Sequence, residues 1–368
     1  AKIRQLLNDE RHPRFWSEIW TAMLNGYSNA FETDRVALQR WIESELSANR
    51  PYDQMVTQLI TATGPSSDDG AVNFIARYRQ DAAVRVSRMF LGVRLDCARC
   101  HDHPFDRWTE DDFQNMSRFF QATRREGGER NPRLIDEVRD GGNRPVFLTG
   151  ATPRTTRWRD EFALFVTHTN AFAKNFANRI WYQLLGRGIV NPPDDFNEHN
   201  QPSVPALLDH LATTAKESEC NIRSMIEQIC LSEAYQRSSA ATARRSKREE
   251  VFALRVVKPL TIEQLVDSLQ TCVRWQLREP REIVVRRLAG GEDTDIDFSE
   301  TWKYRETVQQ LMGRLAMDLR APSTNLDEIF LGVLTRRPTE TERAKCAGFS
   351  PTDIAFALVN TNEFYFNH

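Results

Sequence analysis

The chain contains no run approaching the roughly 18 consecutive apolar residues that a membrane-spanning helix needs, and its mean hydropathy is −0.55. A spanning helix is therefore not expected. Net charge is also scarce: 49 Lys and Arg stand against 51 Asp and Glu, a balance of −2 at neutral pH. With a pI near 6.5, long-range attraction of the whole molecule to nucleic acid or an anionic membrane is not expected. A phosphate-cradling glycine loop, a G-x-S-x-G elbow and a fixed-period repeat are all missing. Cysteine is sparse, and four of the six, Cys220, Cys230, Cys272 and Cys346, are scattered singly. They read as buried free thiols rather than as a disulfide framework. No charged-then-apolar leader opens the chain, so any export signal is expected to have been removed or to lie upstream.

The remaining two cysteines share one short pattern, Cys97-Ala98-Arg99-Cys100-His101. Two thiols separated by two residues can add to the two vinyl groups of one haem, and the imidazole that follows can stand under the iron. The metal ligand is thus His101, with Cys97 and Cys100 as the covalent attachment points. Two other readings of the same residues stay open. Cys97 and Cys100 could form a redox pair, or hold zinc with His101 and His103. A second C-x-x-C, usual for structural zinc, is missing, and so is the strand–helix alternation expected around a redox pair.

The flanks supply further candidates. Arg85, Arg88 and Arg94 precede the motif and read either as a solvated basic face or, Arg94 above all, as partners for haem propionates. Asp102 and Asp106 are candidates for orienting His101 or His103, or for ordinary cap and turn duty. His103, with Asp102 and Asp106, forms the candidate acid–base set should the site be catalytic. His168 and His199 are candidates for a second axial ligand, whereas His210, beside Leu207, Leu208 and Leu211, reads as structural.

Apolar spacing predicts a mainly α-helical fold: two packed helical domains joined by an irregular linker with at most a short strand. Helices are expected over Phe15 to Leu24, Asp34 to Leu46, Met55 to Thr61 and Ala82 to Leu91. Pro51 is read as the end of the second, and Gly64 to Ser67 as a loop. Thr109 with Asp112 signals a new helix, so the motif sits between helices. Residues 123–156 are rich in charge, Gly and Pro, with a candidate strand at Pro145 to Leu148. They are assigned as a solvated linker between domains at 1–122 and 157–368. Beyond it, helices are predicted at Trp158 to His168, Ala173 to Leu185, Pro205 to Ala215, Ile222 to Leu231, Thr261 to Trp275, Trp302 to Leu319 and Asn325 to Leu334. Two more open at Pro338 to Glu342 and Ser350 to Asp353. Ser238 to Glu250 is predicted to be a mobile surface loop, whose Arg244, Arg245, Lys247 and Arg248 are solvated or dock an acidic partner.

Several stretches resemble the planctomycete cytochrome-C-associated family, a pair of adjoining domains of unknown function. Phe90 to Phe120 is similar to the first domain's signature, with Arg50-Pro51-Tyr52-Asp53 and Ala71-Val72-Asn73-Phe74 upstream of it. Asn178-Arg179-Ile180-Trp181, Gly186 to Val190, Asp194-Asp195-Phe196, Tyr235 to Ser239, Arg337-Pro338-Thr339 and Asn362-Glu363-Phe364 resemble the second's. The resemblance implies that Cys97, Cys100 and His101 are a haem-c-like motif and that the protein is exported. It also implies a first domain that ordinarily begins with a further helical segment, so truncation or processing at the N-terminus is expected. The combined expectation is a periplasmic or otherwise exported protein with one covalent haem c, acting with a redox partner protein. A haem-dependent oxidoreductase, peroxidase-like or acting on a polysaccharide-derived substrate, and a non-haem metal or interaction module are the alternatives.

Overall fold

Helix-forming periodicity carries through to the structure, a computed structural model that describes residues 1–27, 33–78, 81–103, 106–127, 131–137, 142–239, 249–289, 313 and 319–367. Its described residues form two compact units, Ala1–Arg255 and Val256–His368. Residues 123–156 lie within the first of these units. Among the described residues no helix is long and apolar enough to cross a membrane.

The first unit opens with α1 (Lys2–Leu7), α2 (Arg11–Asn25) and α3 (Arg35–Ser47). In α2 the row Trp16, Trp20, Met23 and Leu24 is buried, while Phe15 is 38% exposed at its edge. Asp34 caps α3 by accepting from the Ala37 N–H at 2.9 Å, satisfying one of the donors that every helix start leaves open. Pro51 opens the next helix, α4 (Tyr52–Thr61), as its N-cap residue. A helix start wants no N–H from that position, so a proline suits an entry as well as an exit. Gly64–Pro65, expected as loop, forms strand β1. After α5 (Val72–Arg77) and α6 (Ala82–Val86) the helix widens into a π turn over Ser87–Leu91. Met89 and Phe90 within it are fully buried.

Helix α7 (Glu110–Arg118) begins with the predicted capping box, in which Thr109 and Asp112 each satisfy the other's main-chain N–H. The expected linker is structured over much of its length. Strands β2 (Thr123–Glu126) and β3 (Arg133–Asp136) pair antiparallel, Thr123 opposite Asp136 and Glu126 opposite Arg133. β1 adds to the other edge of β3, giving the order β1-β3-β2. Pro145 to Leu148 is not a strand. With no ladder partner beside it, the segment turns at Phe147 to Ala151, and the Phe147 ring enters the core 5.7 Å from Phe162.

Four longer helices complete this unit: α8 (Trp158–Thr167), α9 (Asn170–Leu185), α10 (Pro205–Glu217) and α11 (Ile222–Leu231), followed by the short α12 (Glu233–Gln236). The α8–α9 pair packs against the N-terminal helices through aromatic rings. Tyr52 of α4 stacks between Phe172 and Phe176 of α9, with centroids at 5.5 and 4.7 Å. Phe162 of α8 meets Phe119 at 4.8 Å and Phe120 at 5.2 Å. Arg159, 3% exposed, donates to the carbonyls of Thr61 and Ala62 at the open end of α4 and pairs with Asp136 at 2.8 Å. Burial alone would lower its pKa, and Asp136 opposes that.

In the second unit, Thr261 and Gln264 form the predicted capping box of helix Ile262–Cys272. Strands Lys258–Pro259 and Phe366–Asn367 pair antiparallel. Helices Leu326–Leu334, Glu340–Cys346 and Pro351–Val359 match the predicted starts. Arg336 binds both Glu342 at 2.7 Å and Glu363 at 2.5 Å, tying the turn after the first of these helices to the chain's last helical turn. The predicted helix at Trp302 to Leu319 lies almost wholly outside the described residues, as does most of the Ser238 to Glu250 loop.

Phe162 is fully buried at the centre of its ring cluster. Replacing it with Ala should destabilise the first unit by about 3–5 kcal/mol, the usual range for a buried aromatic, measured as a fall in the urea midpoint with an unchanged slope.

Candidate functional site

The turn that carries the C-x-x-C-H motif is fixed by its apolar residues. Leu95 and Ala98 are fully buried and pin a short 3-10 helix, Asp96–Arg99. Cys97 lies within this turn, and Cys100 is the residue that closes it. Both thiols are free and exposed. Arg99, between them, pairs with Asp81 and lies 5.3 Å over the Phe113 ring, anchoring the turn to α7.

His101 is exposed, and its Nδ1 stands 2.8 Å from the Asp102 carbonyl oxygen. A carbonyl only accepts, so the neutral ring carries its proton on Nδ1 and keeps the Nε2 lone pair for another group. The Asp102 carboxylate does something else: it accepts from the Glu110 N–H at 3.0 Å, at the start of α7. Asp106 accepts from the Arg107 N–H at 2.8 Å. These are the cap and turn roles that sequence reading held open for both residues. His103 is half-buried, and its N–H donates to the Trp108 carbonyl at 2.8 Å. Trp108 is itself buried, with Arg107 stacked 4.5 Å over its ring. Its indole N–H is enclosed and meets no acceptor among the described residues. No group of three or more His, Cys, Asp or Glu among the described residues stands close enough to hold a metal ion.

The three upstream arginines are not a solvated face. Arg85 and Arg88 are 7% and 9% exposed. Arg85 donates to the Met23 carbonyl at 2.6 Å and lies 4.8 Å over the Tyr78 ring. Arg88 and Arg94 converge on Asp194, with Arg88 Nε at 2.5 Å and Arg94 Nη2 at 2.9 Å from its two oxygens. Arg94 also lies 3.8 Å from Asp195. Two of the three arginines named as partners for haem propionates, Arg88 and Arg94, thus pair with a carboxylate of the protein itself.

Asp194 is fully buried and belongs to the stiff loop after α9, more than 100 positions from Arg88. Burial pushes its pKa up, but Arg88, Arg179 and Arg94 outweigh that and hold it below the usual carboxylate range. Arg179 is 1% exposed; burial pulls its guanidinium down to about 10, opposed by Asp194 and Tyr52. It therefore stays charged at neutral pH. Its Nε and Nη2 donate at 2.8 and 2.9 Å to the carbonyls of Met89 and Arg88 in the π turn. Asn178, next to Arg179 in α9, accepts from the Ile189 and Val190 N–H groups at 2.7 and 3.1 Å. The Phe196 N–H donates to the Gly92 carbonyl at 2.8 Å, locking the Asp194–Phe196 loop onto the residues that lead into Cys97. Gly92 has φ +72, and a Cβ there would run into Phe196 and the Asn175 amide, so only glycine fits.

This cluster was not recognised in sequence. The available signal was Asn175, Asn178 and Arg179, polar residues at helical spacing inside an otherwise apolar α9. The two histidines proposed as distal ligands sit in their own turns. The His168 Nδ1 contacts the Leu164 carbonyl at 2.9 Å, and the His199 N–H donates to Asn197. His210 is exposed rather than packed.

Removing the Asp194 carboxylate leaves buried guanidinium charge without its counter-ion. Asp194→Ala should cost about 3–5 kcal/mol at neutral pH. Because the folded pKa lies below the unfolded value, this contribution is complete above the ordinary carboxylate range and is lost as pH falls through the folded pKa. The stability gap between wild type and variant, followed by urea denaturation, should therefore narrow as pH is lowered below about 4.

Residues 1–125 match the family model PSCyt2, described as a protein of unknown function (DUF1549). Residues 159–282 match PSD1, likewise a protein of unknown function (DUF1553). No curated protein and no solved structure matches the chain. The first match ends where β2 begins to pair, and the second opens at Arg159, in the first turn of α8. The Asp194 cluster therefore joins one matched segment to the other. The two models are the paired domains of the planctomycete cytochrome-C-associated family, and this chain carries both of them in succession.

Proposed function

We propose that this protein is an exported, monohaem c-type cytochrome-like protein that passes electrons to a redox partner protein. Cys97 and Cys100 would hold one haem through thioether bonds, and the His101 Nε2 would bind its iron. The observation that carries the reading is the turn itself: two free, exposed thiols with two residues between them, followed by an exposed imidazole whose Nδ1 is already occupied. Each thiol adds its sulfur and its hydrogen across one vinyl double bond, so attachment needs accessible thiols and no oxidant. The Asp102 carbonyl holds the His101 tautomer that leaves Nε2 basic. Arg107, exposed and stacked on the Trp108 ring, is the adjacent cation available to the porphyrin's carboxylates. Once bound, the haem supplies a one-electron iron couple.

One observation favours this reading over catalysis. Asp102 and Asp106 are engaged by main-chain N–H groups, which speaks for electron transfer over acid–base catalysis by His103, Asp102 and Asp106. The family name points the same way, to association with cytochromes. The reading carries with it a periplasm-like, exported location, where c-type haem is attached.

The chain expressed in a host with haem-attachment machinery should retain the mass of one haem under denaturing conditions. Cys97→Ala with Cys100→Ala should remove that mass entirely. His101→Ala should keep the mass and change the absorption spectrum of the folded protein. A wild-type chain that emerges pale and iron-free from such a host overturns the proposal.

A further inference from the structure

A cavity in the PSD1-matched segment is used by nothing described so far. It is a cleft of about 260 Å³ enclosed by α9, α10, α11 and the segment around Val251 and Phe252. Its walls are apolar: Trp181, Leu211, Ile229 and Phe252 are each no more than 5% exposed, yet they border empty space. Trp181 and Phe252 meet edge to face, at 4.9 Å and 80°. Phe252 is held at φ +56, a conformation costly for a side chain of that size. The Arg237 Nη1 donates to its carbonyl at 3.0 Å and so braces the wall.

The polar groups sit at the mouth. His210 and Gln228 are exposed there, and Arg237 remains 42% exposed. No carboxylate is among the described residues that line the cleft. Glu233 approaches Arg237 only at 3.9 Å and is 95% exposed, so water and salt screen that pair. Arg237 thus supplies the cation among the described residues that line the cleft, and the interior asks for an apolar, flat body. Trp181 and Arg237 come from two separate stretches on which the family resemblance of this half rests, Asn178 to Trp181 and Tyr235 to Ser239, and the fold brings both to one cleft.

We propose that this cleft is a binding site for a small aromatic carboxylate, its ring system against Trp181 and Phe252 and its charge paired with Arg237. The size agrees: an apolar cavity of about 150 Å³ accepts benzene, so this one has room for a fused bicyclic ring. A carboxylate and a guanidinium form the stronger, charge-assisted class of hydrogen bond, which gives the acid its advantage over a neutral molecule of equal shape. The proposal does not depend on haem attachment.

The test uses the full chain and two probes, 2-naphthoate and its neutral isostere 2-naphthamide, titrated by calorimetry. Wild type should bind the acid saturably and about tenfold more tightly than the amide, a factor that corresponds to one charge-assisted contact. Arg237→Gln should abolish that preference while Arg237→Lys retains most of it. Gln228→Trp, at an exposed helix position on the rim, should weaken both probes about tenfold or more by filling the mouth, with the circular dichroism spectrum unchanged. Failure of wild type to bind naphthoate saturably, equal affinity for acid and amide, or binding indifferent to Gln228→Trp and Arg237→Gln would each overturn the assignment.

Discussion

A single buried carboxylate governs how the two family-matched segments of this chain come together. Asp194 has no exposure to solvent, and burying a charge is tolerated only where partners replace the lost water. Here Arg88 and Arg94 supply them from one matched segment and Arg179 adds its field from the other. Three guanidinium groups around one aspartate would leave a positive excess. Main-chain carbonyls absorb part of it, since Arg179 is spent on the oxygens of Arg88 and Met89 and on the Asn175 amide oxygen. The result is that the approach to the C-x-x-C-H turn is built from both family segments at once. Neither segment holds that geometry with its own residues.

Aromatic packing does the same work at larger scale. Tyr52, completely enclosed between Phe172 and Phe176, contributes apolar area where its hydroxyl finds no partner among the described residues. Burial accordingly drives its pKa far upward, and the ring acts as a hydrocarbon plate. Around Phe162 a second set of rings joins α7, the 147 turn and α8. These contacts explain why Ala1–Arg255 is one compact unit although two sequence families meet inside it.

Helix starts were legible because their signals are local. Thr109 with Asp112, Thr261 with Gln264 and Thr339 with Glu342 form capping boxes that need no knowledge of distant residues. The motif turn was legible for the same reason. What escaped were features set by partners far along the chain. Arg85 and Arg88 read as a wet basic edge because a periodicity argument knows which residues are apolar, not which carbonyl or carboxylate will cover a charge. β2 and β3 were hidden in a stretch of charged residues whose single strong apolar anchor, Leu134, is 1% exposed. Pro51 was read only as a stop for α3, which ends at Ser47, and its second role as the N-cap of α4 was missed because proline suits both boundaries.

The π turn over Ser87–Leu91 spends one more residue per hydrogen-bonded ring than the α-helix it extends. Shortening this segment by a single residue would let α6 continue with regular winding and rotate everything after it by about 100°. Arg179 would then face a closed ladder in place of two available oxygens, Asp194 would lose its register with Arg88 and Arg94, and the paired sulfurs would swing to another side of the fold. The spacing between Asp81 and Cys97 is therefore a dimension of the molecule as fixed as any bond, intolerant of loss in a way that the surface loops are not.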